Sequence, residues 1–293
     1  MRCWLMSPLI LIARGVARLP QGVLLWLASV LSILLWPLLS RRRRVARINL
    51  DQCYPELSVS DRRRLLRANQ HATVMGMLEL IRCWYAPASA LVGLTSRIDG
   101  LPLLQEAMAE GRGVLLFTGH FTQTELAARL LGDALGKPIG GVIRRNDSEC
   151  VESVINEART RVGGPMLDKR NVRGLLAALR NGEALIYSAD QDVSQQHAFV
   201  DFFGVRAATL TRTPDLARRG NALVLPFFFY RDVDGRYCLR VAPTWLGWMD
   251  ASPEQAAAIY MRELEAVVRQ HPEQYHWVHR RFKTRPAGEP AIY

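Results

Sequence analysis

The chain has 293 residues, 49% of them hydrophobic, which is enough to bury a sizeable core and excludes a disordered chain. Lysine and arginine number 38 against 27 aspartate and glutamate, and the net charge of +11 points to an anionic partner: nucleic acid, an anionic membrane surface, or an acidic or phosphorylated substrate. The five cysteines (Cys3, Cys53, Cys83, Cys150, Cys238) form no CxxC and the six histidines no HExxH, which argues against a disulfide framework or a metal site and makes a reducing compartment the default.

The first predicted element is an N-terminal hydrophobic membrane anchor helix. Residues 21–40 carry no charge and have roughly the 20-residue length that a bilayer core requires. Trp26 and Trp36 add interfacial character, and Arg41, Arg42, Arg43, Arg44 and Arg47 favour the cytoplasmic side and anionic headgroups. The apolar stretch 4–12 upstream is cut short by Arg14 and Arg18. No small-residue cleavage site follows the run, which argues against a cleaved signal peptide. A spanning helix and one lying in the cytoplasmic leaflet both fit, given Pro20 and Pro37, whereas a buried core hairpin fits poorly with four consecutive arginines at its end. The expected division is an anchor with its basic flank over 1–44 and a catalytic domain over 45–293.

The rest of the chain alternates. A helix is predicted over 57–85 with Ser60 and Asp61 as cap candidates, then a strand over 91–98 and a short helix over 101–110 closed by Gly111. The apolar run 113–118 has the length of a buried strand, 122–131 is helical and 139–143 is another short strand. Helices follow over 148–162 and from a cap at Asn171 to Gly182, with a strand over 184–188. Residues 222–230 read as a strand whose Pro226 implies an edge or a bulge. Asp234-Gly235 signals a hairpin into 236–241, and Ser252, Pro253 and Glu254 open a last helix stopped by Pro272. The pattern implies an α/β fold, a central mixed sheet covered by helices.

The segment GVLLFTGHFTQTELAARLL carries the chemistry. An apolar strand ends at Gly119, His120 stands at the turn, and a helix begins with Glu125 in its first turns. On one continuous helix the five-residue spacing would not put the two face to face. With His120 on the entering loop, Glu125 can reach back to an imidazole nitrogen, giving a base with an orienting carboxylate. A substrate that brings its own hydroxyl then needs no nucleophilic serine. A polar turn whose His and Glu merely cap the helix fits the same spacing.

His120 to Glu125, reading HFTQTE after an apolar strand, resembles the first motif block of the bacterial lysophospholipid acyltransferase superfamily. More narrowly, the chain resembles the lipid A biosynthesis (secondary) acyltransferases, among them the Kdo-lipid IVA lauroyl and myristoyl acyltransferases. The likeness runs along most of the chain after the arginine cluster. Asn49-Leu50 with Cys53-Tyr54-Pro55-Glu56, then Arg144-Arg145-Asn146, then Met166-Leu167-Asp168 with Lys169 and Arg170 are similar to family elements. So are Asp190-Gln191-Asp192, Phe202-Phe203-Gly204 and the stretch 272–286, PEQYHWVHRRFKTRP. Family members often carry Gly and Pro after the DQ element and Pro before Phe-Phe-Gly. Here Ser194, Gln195, Gln196 and His197 follow, and Asp201 precedes Phe202, which alters the loop 193–201.

The resemblance implies a glycerolipid acyltransferase-like fold and, with the expected anchor and its arginine flank, placement at the bacterial inner membrane, facing the cytoplasm among membrane lipids. It implies transfer of an acyl chain, laurate-like, from acyl carrier protein (or acyl-CoA) to the hydroxyl of a 3-hydroxyacyl chain on an anionic, phosphorylated glycolipid acceptor. His120 is the expected base and Glu125 its partner; no metal or redox cofactor is required. Arg144 and Arg145, after a strand, could bind an acceptor phosphate or assist the oxyanion, or be a solvated pair; Lys169 and Arg170 could likewise be functional or solvated. Asp190 and Asp192, around Gln191, could position the acceptor or a basic residue, or serve as a cap or turn. His276 and His279 lack further metal ligands, and the basic run around them reads as structural or as a surface for anionic partners. His71, His197 and His271 read as structural. Two other functions compete: an acyltransferase for another lipid acceptor, such as a lysophospholipid or ornithine lipid, and a membrane-tethered basic module binding nucleic acid. The last leaves HFTQTE without a role, and no nucleic-acid-binding signature supports it, so no nucleic-acid partner is expected.

Overall fold

The structure, a computed structural model, describes residues 7–293; Cys3 and the start of the apolar stretch 4–12 lie outside the described residues. Four helices come first: α1 (Ser7–Val16), α2 (Gln21–Leu34), α3 (Ser40–Cys53) and the long α4 (Val59–Tyr85). The uncharged run expected to form an anchor is thus divided. α2 stops before Pro37, a residue that opposes helix continuation, and α3 starts at Ser40. Leu24 and Ala28 of α2 are fully buried with Val74, Met75 and Leu78 of α4. Gln21 Nε2 donates to the Gly235 carbonyl at 2.8 Å, and Gln21 Oε1 accepts from Arg82.

No helix among the described residues is long and apolar enough to cross a membrane. The expected anchor helix, and the inner-membrane placement resting on it, are therefore corrected: α2 is a 14-residue helix packed on α4. A leucine-rich run has the same composition whether its leucines face lipid or another helix, which is why composition alone misled. Trp26, Ile33, Leu34 and Leu38 remain exposed. The expected boundary at 44/45 falls inside α3. α4 is capped by Ser58, whose Oγ accepts from Asp61 N at 3.1 Å, and not by Ser60 or Asp61.

The α/β part follows as β1 (Thr95–Asp99), α5 (Leu101–Ala109), β2 (Gly113–Thr118), α6 (Thr124–Leu135), β3 (Gly140–Ile143) and α7 (Glu149–Thr160). Then come β4 (Met166–Asp168), α8 (Val172–Arg180), β5 (Ala184–Ser188), β6 (His197–Phe202), β7 (Val205–Leu210) and α9 (Thr213–Gly220). β8 (Ala222–Arg231), β9 (Tyr237–Val241) and α10 (Pro253–Gln270) complete the order. Seven strands form one mixed sheet ordered β1-β9-β8-β2-β5-β3-β4. Every neighbouring pair is parallel except β8 with β9. β6 and β7 make a separate antiparallel hairpin.

β2 and β5 match their predicted bounds, and all six residues of β2 are buried. β8, expected at an edge because of Pro226, lies inside the sheet. Its pairing with β2 ends at Pro226 and its pairing with β9 begins at Phe227, so the missing N–H sits where the ladder changes partner. On the face under β2, Phe117 stacks on Tyr260 of α10 with ring centroids 4.1 Å apart. α10 comes so close that a Cβ on Gly119 would meet Leu264 Cδ1 at 2.5 Å. The glycine therefore lets the turn after β2 rest on the helix.

Candidate active site

β2 and β5 run side by side with Thr118 opposite Ser188. Two residues beyond each come His120 and Asp190, so the strand register brings them together. They meet at the carboxyl ends of the strands, where α/β sheets form their ligand sites. His120 Nδ1 lies 2.6 Å from Asp190 Oδ1, and the His120 backbone N–H donates to Asp190 Oδ2 at 3.0 Å. Tyr275 Oη donates to the same Oδ2 at 2.7 Å.

Asp190 is 1% exposed. Burial by itself would raise its pKa. The His120 charge and the hydrogen bonds from His120 and Tyr275 overcome that and hold the carboxyl well below the usual range. As a carboxylate it can only accept from Nδ1–H, so that when the imidazole is neutral its lone pair lies on Nε2.

Glu125 does not reach this imidazole nitrogen. Its Oε2 accepts from Trp84 Nε1 at 2.8 Å, and its two oxygens engage the Arg159 guanidinium, Nε at 3.2 Å from each. Arg159 also lies over the Trp84 ring, 5.8 Å from its centroid. The expected His120–Glu125 contact is thus replaced by two pairs, His120 with Asp190 and Glu125 with Arg159. Glu125 starts α6, which carries its carboxylate toward α7, where Arg159 waits in the last turn.

Two cavities of about 290 Å³ each converge on His120, Thr124 and Glu125. The first runs between α3, α4 and the His120 turn, with Ala46, Leu66, Met77 and Leu80 in its wall. α4 can approach because Gly76 has no side chain; a Cβ there would meet the Thr122 carbonyl oxygen at 2.4 Å. The second runs between α6, β3 and α7, with Ala128, Val142, Val162, Met166 and Arg159 in its wall. Among the described residues no three histidine, cysteine or carboxylate side chains gather in a metal-holding group.

The C-terminal segment forms the floor. Tyr275 bridges Phe121 in antiparallel fashion; Thr122 N donates to the Gln274 carbonyl and His276 N to the His120 carbonyl, both at 3.0 Å. Asn69 Nδ2 donates to the carbonyls of Glu273 and Tyr275 at 2.8 Å, and Asn49 Nδ2 to those of Trp277 and His279 at 2.6 and 2.7 Å. Of the two readings of this basic stretch, the structural one holds for Arg281, which is buried and donates to the Ala208 carbonyl at 2.6 Å. His276 is pushed down to about 4, first by burial and then by the neighbouring His120 and His279. His279 is also lowered to about 4, mainly by burial, with Asp190 opposing. His279 Nε2 accepts from the Asp192 backbone N–H at 3.0 Å.

The other expected residues scatter. Asp192 binds the chain itself: its carboxylate accepts from Thr284 N and Oγ1, each at 2.9 Å. Gln191 lies beside His120 and Asp190 in a small recess closed by His276 and Arg281. Arg144 reaches the second cavity but is held by both oxygens of Asp147 at 2.9 Å. Arg145 Nε is 3.6 Å from Glu152. The backbone N–H groups of Lys169 and Arg170 donate to the Ile143 carbonyl and the Asp168 carboxylate. Sequence reasoning left out Trp84, Arg159, Tyr275, Asn49 and Asn69. Only Asn49 and Tyr275 lay inside segments that had stood out.

The model of the family described as bacterial lipid A biosynthesis acyltransferase matches residues 1–284. The chain belongs to that family. The lipid A biosynthesis lauroyltransferase of Escherichia coli (strain K12) is 35% identical over 281 residues, covering 95% of this chain and 91% of the relative. The palmitoleoyltransferase of the same organism is 34% identical over 280 residues, covering 94% and 90%. A lipid A biosynthesis acyltransferase of Haemophilus influenzae is 32% identical over 304 residues, covering 99% and 94%. This lipid A acyltransferase thus moves an acyl chain onto a lipid A-type acceptor in lipopolysaccharide biosynthesis.

Proposed function

We propose that the enzyme transfers a laurate-like acyl group from acyl carrier protein to the hydroxyl of a 3-hydroxyacyl chain on a phosphorylated lipid A precursor, with His120 as general base and Asp190 as its orienting carboxylate. The observation that carries this reading is the 2.6 Å contact between His120 Nδ1 and Asp190 Oδ1 at the meeting point of two largely apolar cavities. Nε2 takes the proton of the acceptor hydroxyl as its oxygen attacks the thioester carbonyl. The tetrahedral intermediate collapses with cleavage of the C–S bond, and the imidazolium returns its proton to the departing thiolate. Asp190 stabilises the imidazolium between these steps, and a positioned base of this kind is worth roughly 10²–10⁴-fold.

Glu125 acts here as a positioning residue. It fixes the Arg159 guanidinium in the wall of the second cavity, where a cation can stabilise the developing oxyanion. Mass spectrometry of lipid A from cells with and without the gene tests the reading. Loss of one acyl chain, restored by the wild-type gene and not by a His120→Ala gene, is expected. An unchanged lipid A would overturn it.

A further inference from the structure

The acidic side chains of α3 and the start of α4 are already engaged: Asp51 pairs with Arg62 at 2.9 Å and Asp61 with Arg64. Arg44, Arg47, Arg63 and Arg67 have no carboxylate within ion-pair distance among the described residues, and all four are exposed. With Arg43 they line one open basin of about 500 Å³ between α3 and α4. Arg43 is held in place by the Trp36 carbonyl and by the Trp36 ring, 4.5 Å from its guanidinium carbon. Arg63 and Arg67 stand one helical turn apart, as do Arg43 and Arg47, so two guanidinium pairs face each other across the basin.

Five like charges around one concavity repel each other in the free protein and create a focused positive potential. Guanidinium forks match phosphate oxygens two at a time. Arg43 and Leu66 line both this basin and the first cavity, which leads to His120. The basin and the first cavity therefore adjoin, so that an acceptor with its anionic head among the arginines can lay an apolar chain bearing a hydroxyl toward the imidazole.

We infer that the α3–α4 arginine basin binds a phosphate group of the glycolipid acceptor, so that the acceptor enters by the first cavity and the acyl donor by the second. The inference rests on the acyl transfer proposed above. The concave shape and the apolar cavity directly behind it favour a phosphorylated amphiphile over an acidic protein surface. Arg144 and Arg145, for which one sequence reading was phosphate binding, already face Asp147 and Glu152.

The test uses the full chain in detergent, acyl carrier protein thioester as donor, and a bisphosphorylated tetraacyl disaccharide acceptor beside the same acceptor with its phosphates removed. Arg63→Ala with Arg67→Ala is expected to raise the acceptor KM for the phosphorylated form roughly ten- to hundred-fold and to leave the donor KM and kcat near wild type. The variant should also abolish the difference between the two acceptors, and Arg63→Lys with Arg67→Lys should restore part of the affinity. Thermal unfolding of each variant checks its fold. An unchanged acceptor KM would overturn the inference, as would an equal rise for both acceptors. A rise in donor KM alone would assign the basin to the acidic carrier protein, and inorganic phosphate competing near the acceptor KM would assign it to free phosphate; either result overturns the inference. Failure of the wild type to acylate either acceptor is a separate outcome, which removes the acyl-transfer reading and this inference with it.

Discussion

Two carboxylates flank the same histidine turn and live in different surroundings. Asp190 lies two residues beyond a central strand, is buried, and spends both oxygens on His120 and Tyr275. Glu125 opens a helix, keeps 29% of its side-chain exposure, and spends its oxygens on Arg159 and Trp84. Position relative to the sheet makes the difference. Parallel strands in register hold His120 and Asp190 at one height, whereas the first turn of α6 swings Glu125 outward to α7. Nearness in sequence therefore pointed to one carboxylate and strand register selects the other.

The largest expected effect comes from removing the charge at the strand end. Asp190→Asn should lower kcat by roughly 10²–10⁴-fold with the acceptor KM little changed, because the amide can hold the wrong tautomer and cannot balance an imidazolium. Steady-state kinetics on folded protein checks it, and near-normal kcat would break the comparison.

At the helix end, Glu125→Gln should cost about 10²–10³-fold through misplacement of Arg159. The signature is coupling: Glu125→Gln with Arg159→Gln should be no worse than the poorer single variant, since both remove one ion pair. Full additivity between them would detach Glu125 from Arg159.

Tyr275→Phe should be milder, because it removes one hydrogen bond from Asp190 and leaves the imidazole contact. A loss of roughly ten-fold in kcat is expected, the low end for a single bond to a charged group, because the imidazole contact remains. A loss as large as that of Asp190→Asn would give the tyrosine a direct part in the chemistry.

The smallest effect is on acid stability. His276 and His279 sit near 4 in the fold, against 6.5 for a free histidine. Between those values the unfolded chain binds more protons, so stability is full above about pH 6.5 and declines as pH falls toward 4. Asp190, also depressed, adds its loss only below about pH 3.9, the ordinary aspartate value. Melting temperatures from pH 7 to 4 should fall, and His276→Gln should flatten part of the slope. A flat profile in the wild type would contradict the burial of both rings.

Much of the sheet was legible in the sequence. Compact apolar runs closed by glycine or polar residues fix β2 and β5, and the polar His120 at the end of β2 marks the site. The partner was not legible, since the Thr118–Ser188 register is a long-range property that no local pattern carries. The β6–β7 hairpin was missed because its two-residue turn places Phe203 as well as Gly204 at positive φ, 55° and 73°, where asparagine or glycine would have signalled it. At Asp201, just before Phe202-Phe203-Gly204, the hairpin pairs the residue with Arg206. The N-terminal run misled for the opposite reason: its composition was plain, but only packing on α4 distinguishes a buried face from a lipid-facing one.

The central claim is that Asp190, and not Glu125, holds the His120 imidazole. Nitrogen-15 NMR of histidine-labelled protein reads this directly, with the His120 resonances assigned by their loss in His120→Gln. The account predicts a deshielded Nδ1–H proton on His120 that persists in Glu125→Gln and disappears in Asp190→Asn. Persistence in Asp190→Asn with disappearance in Glu125→Gln would contradict it.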